Sequence, residues 1–139
     1  MSTRVIFLFC FLLGALRLSA QTSSDLQLAQ YYYNNAELDK ALGYYEKIYA
    51  QDQSKAIFMP YLNCLLDQKD FKTAEKVLRK QIGLNKQDYE VRLLAAEFYE
   101  DQADASKAKK IYEELISELG PNPGQTIAVY QAFAAKGKF

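Results

Sequence analysis

Residues 92–121 read "RLLAAEFYEDQADASKAKKIYEELISELGP", two apolar segments joined by the short polar run DQADAS and closed by Gly120 and Pro121. The stretch predicts two helices that fold back on each other. Ala108, on the second, lets the two approach closely, while the large Tyr99 and Tyr112 fill the wedge between this pair and the next.

Working outward, the same spacing returns along the chain. Tyr32, Leu65, Tyr99 and Phe133 stand 33, 34 and 34 residues apart. Nine residues after the first three come Ala41, Ala74 and Ala108, and four further on Tyr45, Leu78 and Tyr112. Leu38, Phe71, Ala105 and Phe139 each follow the leading residue by six. Four columns in phase mark a repeated structural unit. The runs YNNAEL, DQKDF, DQADAS and KGKF read as turns inside each pair, and QDQSK, GLNKQD and GPNPGQ as breaks between pairs. Gly120, Pro121, Pro123 and Gly124 form the clearest stop. No run carries a convincing strand pattern.

These columns resemble the tetratricopeptide repeat family, whose unit is an antiparallel helix pair of about 34 residues. Ala95-Ala96, Tyr99, Ala108, Tyr112 and Pro121 stand where that family prefers Leu-Gly, Tyr, Ala, Phe and Pro, and the first repeat carries Leu28-Ala29, Tyr32, Ala41 and Tyr45. The second departs, with Leu62 and Leu65 in the small and aromatic places and Pro60 early in its first helix, and the fourth has Tyr130 where a small residue is preferred. The resemblance covers residues 22–139 and implies an all-α fold, a right-handed α-solenoid of antiparallel helix pairs. Its units fall at 22–54, 55–88 and 89–122, with the first helix of a fourth at 123–139.

Residues 1–20, MSTRVIFLFCFLLGALRLSA, have a basic start at Arg4, an apolar run Val5–Leu16 and small residues before Gln21, the layout of a secretory signal. A run of about a dozen residues is short for a membrane span, which needs roughly 20. The alternative reading is an uncleaved anchor. Cys10 sits inside the apolar run rather than at a lipoprotein cleavage point. Cleavage near Ala20 predicts an exported, periplasmic or envelope-associated protein that meets a membrane only through this segment.

Loss of Arg4 and Arg17 takes the basic count from 17 to 15, against 17 acidic residues. A near-neutral chain offers no basic field for nucleic acid. Cys64 is then the lone cysteine and can close no internal disulfide; its setting, YLNCLL, predicts a buried inert thiol.

The 139 residues contain no histidine, and one mature cysteine cannot build a cysteine zinc site. Nucleophile-elbow, phosphate-loop and dinucleotide-binding glycine motifs are missing too. The acidic group Glu97, Glu100, Asp101 and Asp104 lacks a glycine-turned loop and reads as a wet face rather than a calcium site. Lys107, Lys109 and Lys110, with Glu113 and Glu114 beyond, read as surface ion pairs. The chain is accordingly read as non-enzymatic, with no cofactor and no metal.

The run AQYYYNNAELDKALGYYEKIYAQ, residues 29–51, concentrates tyrosine. Leu28, Tyr31 and Tyr32 share one helical face, which assigns Tyr31, Tyr32 and Tyr45 to packing of the first pair and Tyr49 to contact with the second. Tyr33 shares a different stripe with Leu26 and Gln30.

In stacked pairs the first helices line a concave side. The register nominates Leu26, Gln30, Tyr33 and Asn34, then Met59, Asn63 and Leu66, then Leu93, Glu97 and Glu100, then Ile127 and Gln131. Apolar anchors mixed with amides and acid suit a peptide or helix of a protein partner. The family's clamp for chaperone C-termini uses a lysine and an asparagine where this chain has Leu26 and Gln30, so that activity is not implied. The last helix, QTIAVYQAFAAK, presents Ile127, Val129, Tyr130 and Phe133 with nothing after it, the mark of a longer array. The reading is an exported adaptor or scaffold in an envelope assembly. Its rival is the docking or sensory part of a longer enzyme or signalling protein.

Overall fold

A computed structural model describes residues 24–118 and 123–135. The expected signal segment, KGKF and the break at Gly120 and Pro121 lie outside the described residues. Those described form helices and no strand: α1 over 24–34, α2 Leu38–Gln51, α3 Lys55–Asp67, α4 Phe71–Leu84, α5 Tyr89–Asp101, α6 Ala105–Ser117 and α7 Pro123–Ala135. The all-α expectation holds. Pro123 and Gly124 belong to α7 rather than to the break before it, because a first-turn proline has no helical N–H partner to lose.

One turn recurs three times. Ala36, Lys69 and Ala103 are left-handed, with φ of 58°, 63° and 58°. Their N–H groups donate to the carbonyls of Tyr33, Leu66 and Glu100. The next N–H groups, of Glu37, Asp70 and Asp104, reach back to Tyr32, Leu65 and Tyr99 at 2.9, 2.9 and 2.8 Å. This paired backbone closure ends a helix and reverses the chain. The leading column of the repeat therefore supplies the carbonyl on which each first helix ends.

The chain divides into two compact units, one through Phe71 and one from Lys72. In the first unit α1 and α2 run antiparallel. Lys47 reaches Asp25 at 2.7 Å near one end, and at the other Tyr32 stacks on Tyr44 at 5.7 Å with 14° between the rings. Ala29 and Ala41 are wholly buried, the close approach that small residues permit. On α3, Tyr61 packs 5.3 Å from Tyr49 and 6.4 Å from Tyr45, above the buried Ile57, Phe58, Leu62 and Leu65. Cys64 is buried beneath them, and burial pushes its thiol up to about 11. Helix α3 continues through Pro60, which lies beyond its first turn and removes one donor from the ladder.

The expected packing face of α1 is wrong by a third of a turn. Leu28 is 37% exposed and Tyr31 61%, while Asp25 and Ala29 are buried and Tyr32 half-buried. The contact is centred on Ala29 because the α1–α2 approach has room for a methyl group there. Tyr31 is consequently a surface residue.

In the second unit, Tyr89, Leu93, Leu115 and Val129 form a core cluster, with Ile111, Tyr112 and Phe133 packed around it. Helix α4 adds the buried Ala74, Val77 and Leu78. Asp88 and Asp104 cap α5 and α6 by accepting from the N–H groups of Val91 and Lys107. Of the four apolar residues expected bare on α7, Val129 is wholly buried and Phe133 packs on Tyr112 at 6.1 Å. Ile127 and Tyr130 stay open, at 55% and 58% exposure.

Candidate interaction surfaces

In the first unit, α1 and α3 carry seven of the nominated residues. Leu26, Tyr33, Met59 and Leu66 are half-buried; Gln30, Asn34 and Asn63 are exposed. Tyr33 donates its hydroxyl to Asp67 at 2.5 Å, which turns its ring toward α3 and away from the α1–α2 seam. That bond, first, and then burial push the phenol up to about 12. Half-covered apolar side chains beside exposed amides can take a peptide's side chains and bond its backbone.

In the second unit the nomination partly fails. Leu93 is fully buried, held in one cluster with Leu115 and Val129, so it is core rather than contact surface. Its counterparts Leu26 and Met59 remain half-buried. Glu97 is half-buried; Glu100 is exposed and accepts the Tyr112 hydroxyl at 3.0 Å. Ile127 and Gln131 are exposed on α7. Glu100 of the acidic group thus helps fasten α5 to α6. Among the described residues no three of Asp, Glu, His and Cys gather as a metal site.

Sequence reasoning missed a groove along the second helices of this unit, α4 and α6. One hollow of about 390 Å³ has a floor of Leu78, Ile82 and Ile111, with Arg79 and Lys110 at its rim. A second, of about 520 Å³, is lined by Lys86, Tyr89, Arg92 and Glu118. Ile82 and Glu114 line both. Arg92 is 7% exposed, bonded to Glu118 at 2.7 Å and 5.8 Å from the Tyr89 ring centre. At the far end the Tyr99 hydroxyl donates to Glu75 at 2.9 Å. Lys107 lies 3.3 Å from Glu75 and 3.2 Å from Asp104. Tyr99 chiefly, with Lys107, holds the Glu75 carboxyl below its ordinary value; Asp104, then Glu75, raise the Lys107 ammonium. Leu78 was visible as a column of the repeat, but Ile82 and Ile111 fall in none of the columns, and Lys107 and Lys110 read as surface ion pairs.

Each unit holds an antiparallel helix pair, α1–α2 or α5–α6, closed by the same left-handed turn, and such pairs define a helical-repeat protein. The family described as tetratricopeptide repeat matches residues 65–124, and over this stretch the chain is similar to it. The solved structures carry the fold further. The type III secretion translocator chaperone SycD of Yersinia enterocolitica aligns over 87% of this chain and 91% of its own, at 12% identity and a TM-score of 0.60. PcrH in complex with the chaperone-binding region of PopB aligns over 83% and 94%, at 15% identity and 0.58. The first such domain of Spaghetti (RPAP3), bound to an HSP90 peptide, aligns over 86% and 95%, at 18% identity and 0.56. No curated protein sequence matches this chain.

Proposed function

We propose that this protein is an exported scaffold that holds a peptide or helix of a partner protein against α1 and α3. The observation that carries the reading is the Tyr33–Asp67 bond, which turns Tyr33 to the side where Leu66 and Asn63 also stand. Leu26, Tyr33, Met59 and Leu66 would bury partner side chains, and Gln30, Asn34 and Asn63 would bond its backbone. Solved relatives in fold support a binding role, since PcrH carries a region of PopB and RPAP3 a peptide of HSP90. Export rests on the basic-then-apolar layout of residues 1–20, and it places the complex in the periplasm or cell envelope.

A photo-crosslinking residue at Asn63, with the same residue at Lys76 as control, tests the surface. A single partner adduct at Asn63, lost when Tyr33→Ala and Leu66→Ala are combined, supports it. An adduct indifferent to those changes removes it. The intact mass of the protein from its own cells tests export: a chain beginning at Gln21 supports cleavage, and a retained Met1 counts against it.

A further inference from the structure

We propose that the groove between α4 and α6 is a second docking surface, for an acidic segment of a protein partner anchored by one large apolar side chain. The inference goes beyond the reading of α1 and α3 and does not depend on it. Three features of the second unit carry it. The hollow of about 390 Å³ lies within the range of ligand sites, about 300–1,000 Å³, and its floor is the apolar set Leu78, Ile82 and Ile111. Its two acids are already occupied: Glu75 by Tyr99 and Lys107, and Glu114 beside Arg92 at 3.8 Å. Its exposed cations Arg79 and Lys110 form none of the ion pairs within 4 Å that occupy these acids, although Arg79 lies near enough to Glu75 to help hold its carboxyl below the ordinary value.

The uncommitted charge of the rim is therefore positive, though the walls as a whole are mixed. A partner that supplies an apolar side chain with carboxylates beside it meets both needs: the anchor covers the floor, and its acids face Arg79 and Lys110. The two rows are ordered along the helices, since Arg79 follows Leu78 directly and Lys110 precedes Ile111. Both cations line the same hollow as these apolar floor residues. Nucleic acid fits poorly, because two cations beside an apolar floor fall short of the extended positive field that a phosphate backbone requires.

Fluorescence anisotropy of the full chain with the labelled hexapeptide EDLFDE tests the proposal. The chain should bind it saturably, and the uncharged QNLFNQ and the anchorless EDAADE should each bind about tenfold more weakly or worse. Arg79→Glu with Lys110→Glu should abolish binding, and the milder Arg79→Gln with Lys110→Gln should weaken it, both with unchanged circular dichroism. Tyr33→Ala with Leu66→Ala should leave it intact. Three results would each overturn the proposal: no saturable binding of EDLFDE, equal binding by the charge-reversed chain, or loss confined to the Tyr33/Leu66 variant. The last would place the peptide on α1 and α3, so failure here is distinguishable from failure of that reading. A duplex DNA probe bound in preference to the peptide would also defeat it.

Discussion

Arg92, buried near the start of α5, donates to Glu118 just past the end of α6 at 2.7 Å. The contact closes the open end of an antiparallel pair, away from its turn, through a charge that has little access to water. Glu118→Ala leaves that guanidinium with the Lys86 carbonyl at 3.3 Å and the more distant Glu114. The expected loss is about 1–2 kcal/mol, reduced from the buried-pair range because Glu118 is itself partly exposed. Arg92→Met, which removes the buried charge and keeps the stem, should cost less. Urea unfolding of the two variants checks the order, and the reverse order would refute it.

Tyr33 and Asp67 make stability depend on alkaline pH. The ordinary phenol titrates at 10.0, and in the folded chain Tyr33 is pushed up to about 12, chiefly by its hydrogen bond to Asp67. Above about pH 10 the unfolded chain gives up this proton while the folded chain keeps it. The contribution is complete below pH 10 and fades between about 10 and 12. Tyr33→Phe should flatten that decline in an alkaline unfolding series. Asp67→Asn should shift one late-titrating tyrosine earlier in tyrosinate absorbance, leaving Tyr61, pushed to about 12 by burial, in place.

The turns and helix interiors carry glycine in the reverse of the ideal places. Ala36 and Ala103 are left-handed, which costs a side chain roughly 1–2 kcal/mol, while Gly43 and Gly83 sit inside α2 and α4 with open space where a methyl would go. Gly43→Ala and Gly83→Ala should each stabilise by about 0.5–1 kcal/mol. Ala103→Gly should gain up to about 1 kcal/mol, the relieved strain exceeding the added freedom of the unfolded chain. Thermal melts of the single variants would show these gains; a fall in Tm for either helix variant would contradict them.

Leu93 and Asn63 separate core from surface. Leu93→Ala removes a wholly buried side chain and should cost about 2–5 kcal/mol. Asn63→Ala, on an exposed residue, should stay within about 0.5 kcal/mol. A Leu93→Ala chain that keeps its stability would restore Leu93 to the contact surface.

The helices and the turns between them were legible because a fixed spacing of large and small residues reports which side chains meet. The buried Ala41, Ala74 and Ala108 stand where that spacing puts them. Helix rotation was less legible. Leu28 and Tyr31 looked like core by size, but the tight fit around Ala29 decided the packed face of α1, and a sequence does not state how near two axes lie. Leu93 failed for the opposite reason: α7 adds Val129 to a cluster that α1 and α3 do not build around Leu26 and Met59. The α4–α6 groove was hidden because its cations resemble any solvated helix until the fold shows the apolar floor between them.

The three backbone-closed turns also bear on how this chain acquires its structure. Their bonds span no more than five residues, and α2 meets α3, α5 meets α6, and α5 meets α7, all close along the chain. Each hairpin can therefore close before distant segments have found one another. Such local topology places folding on the order of microseconds to milliseconds. For a chain built this way, assembly can begin at whichever hairpin closes first and spread to its neighbours.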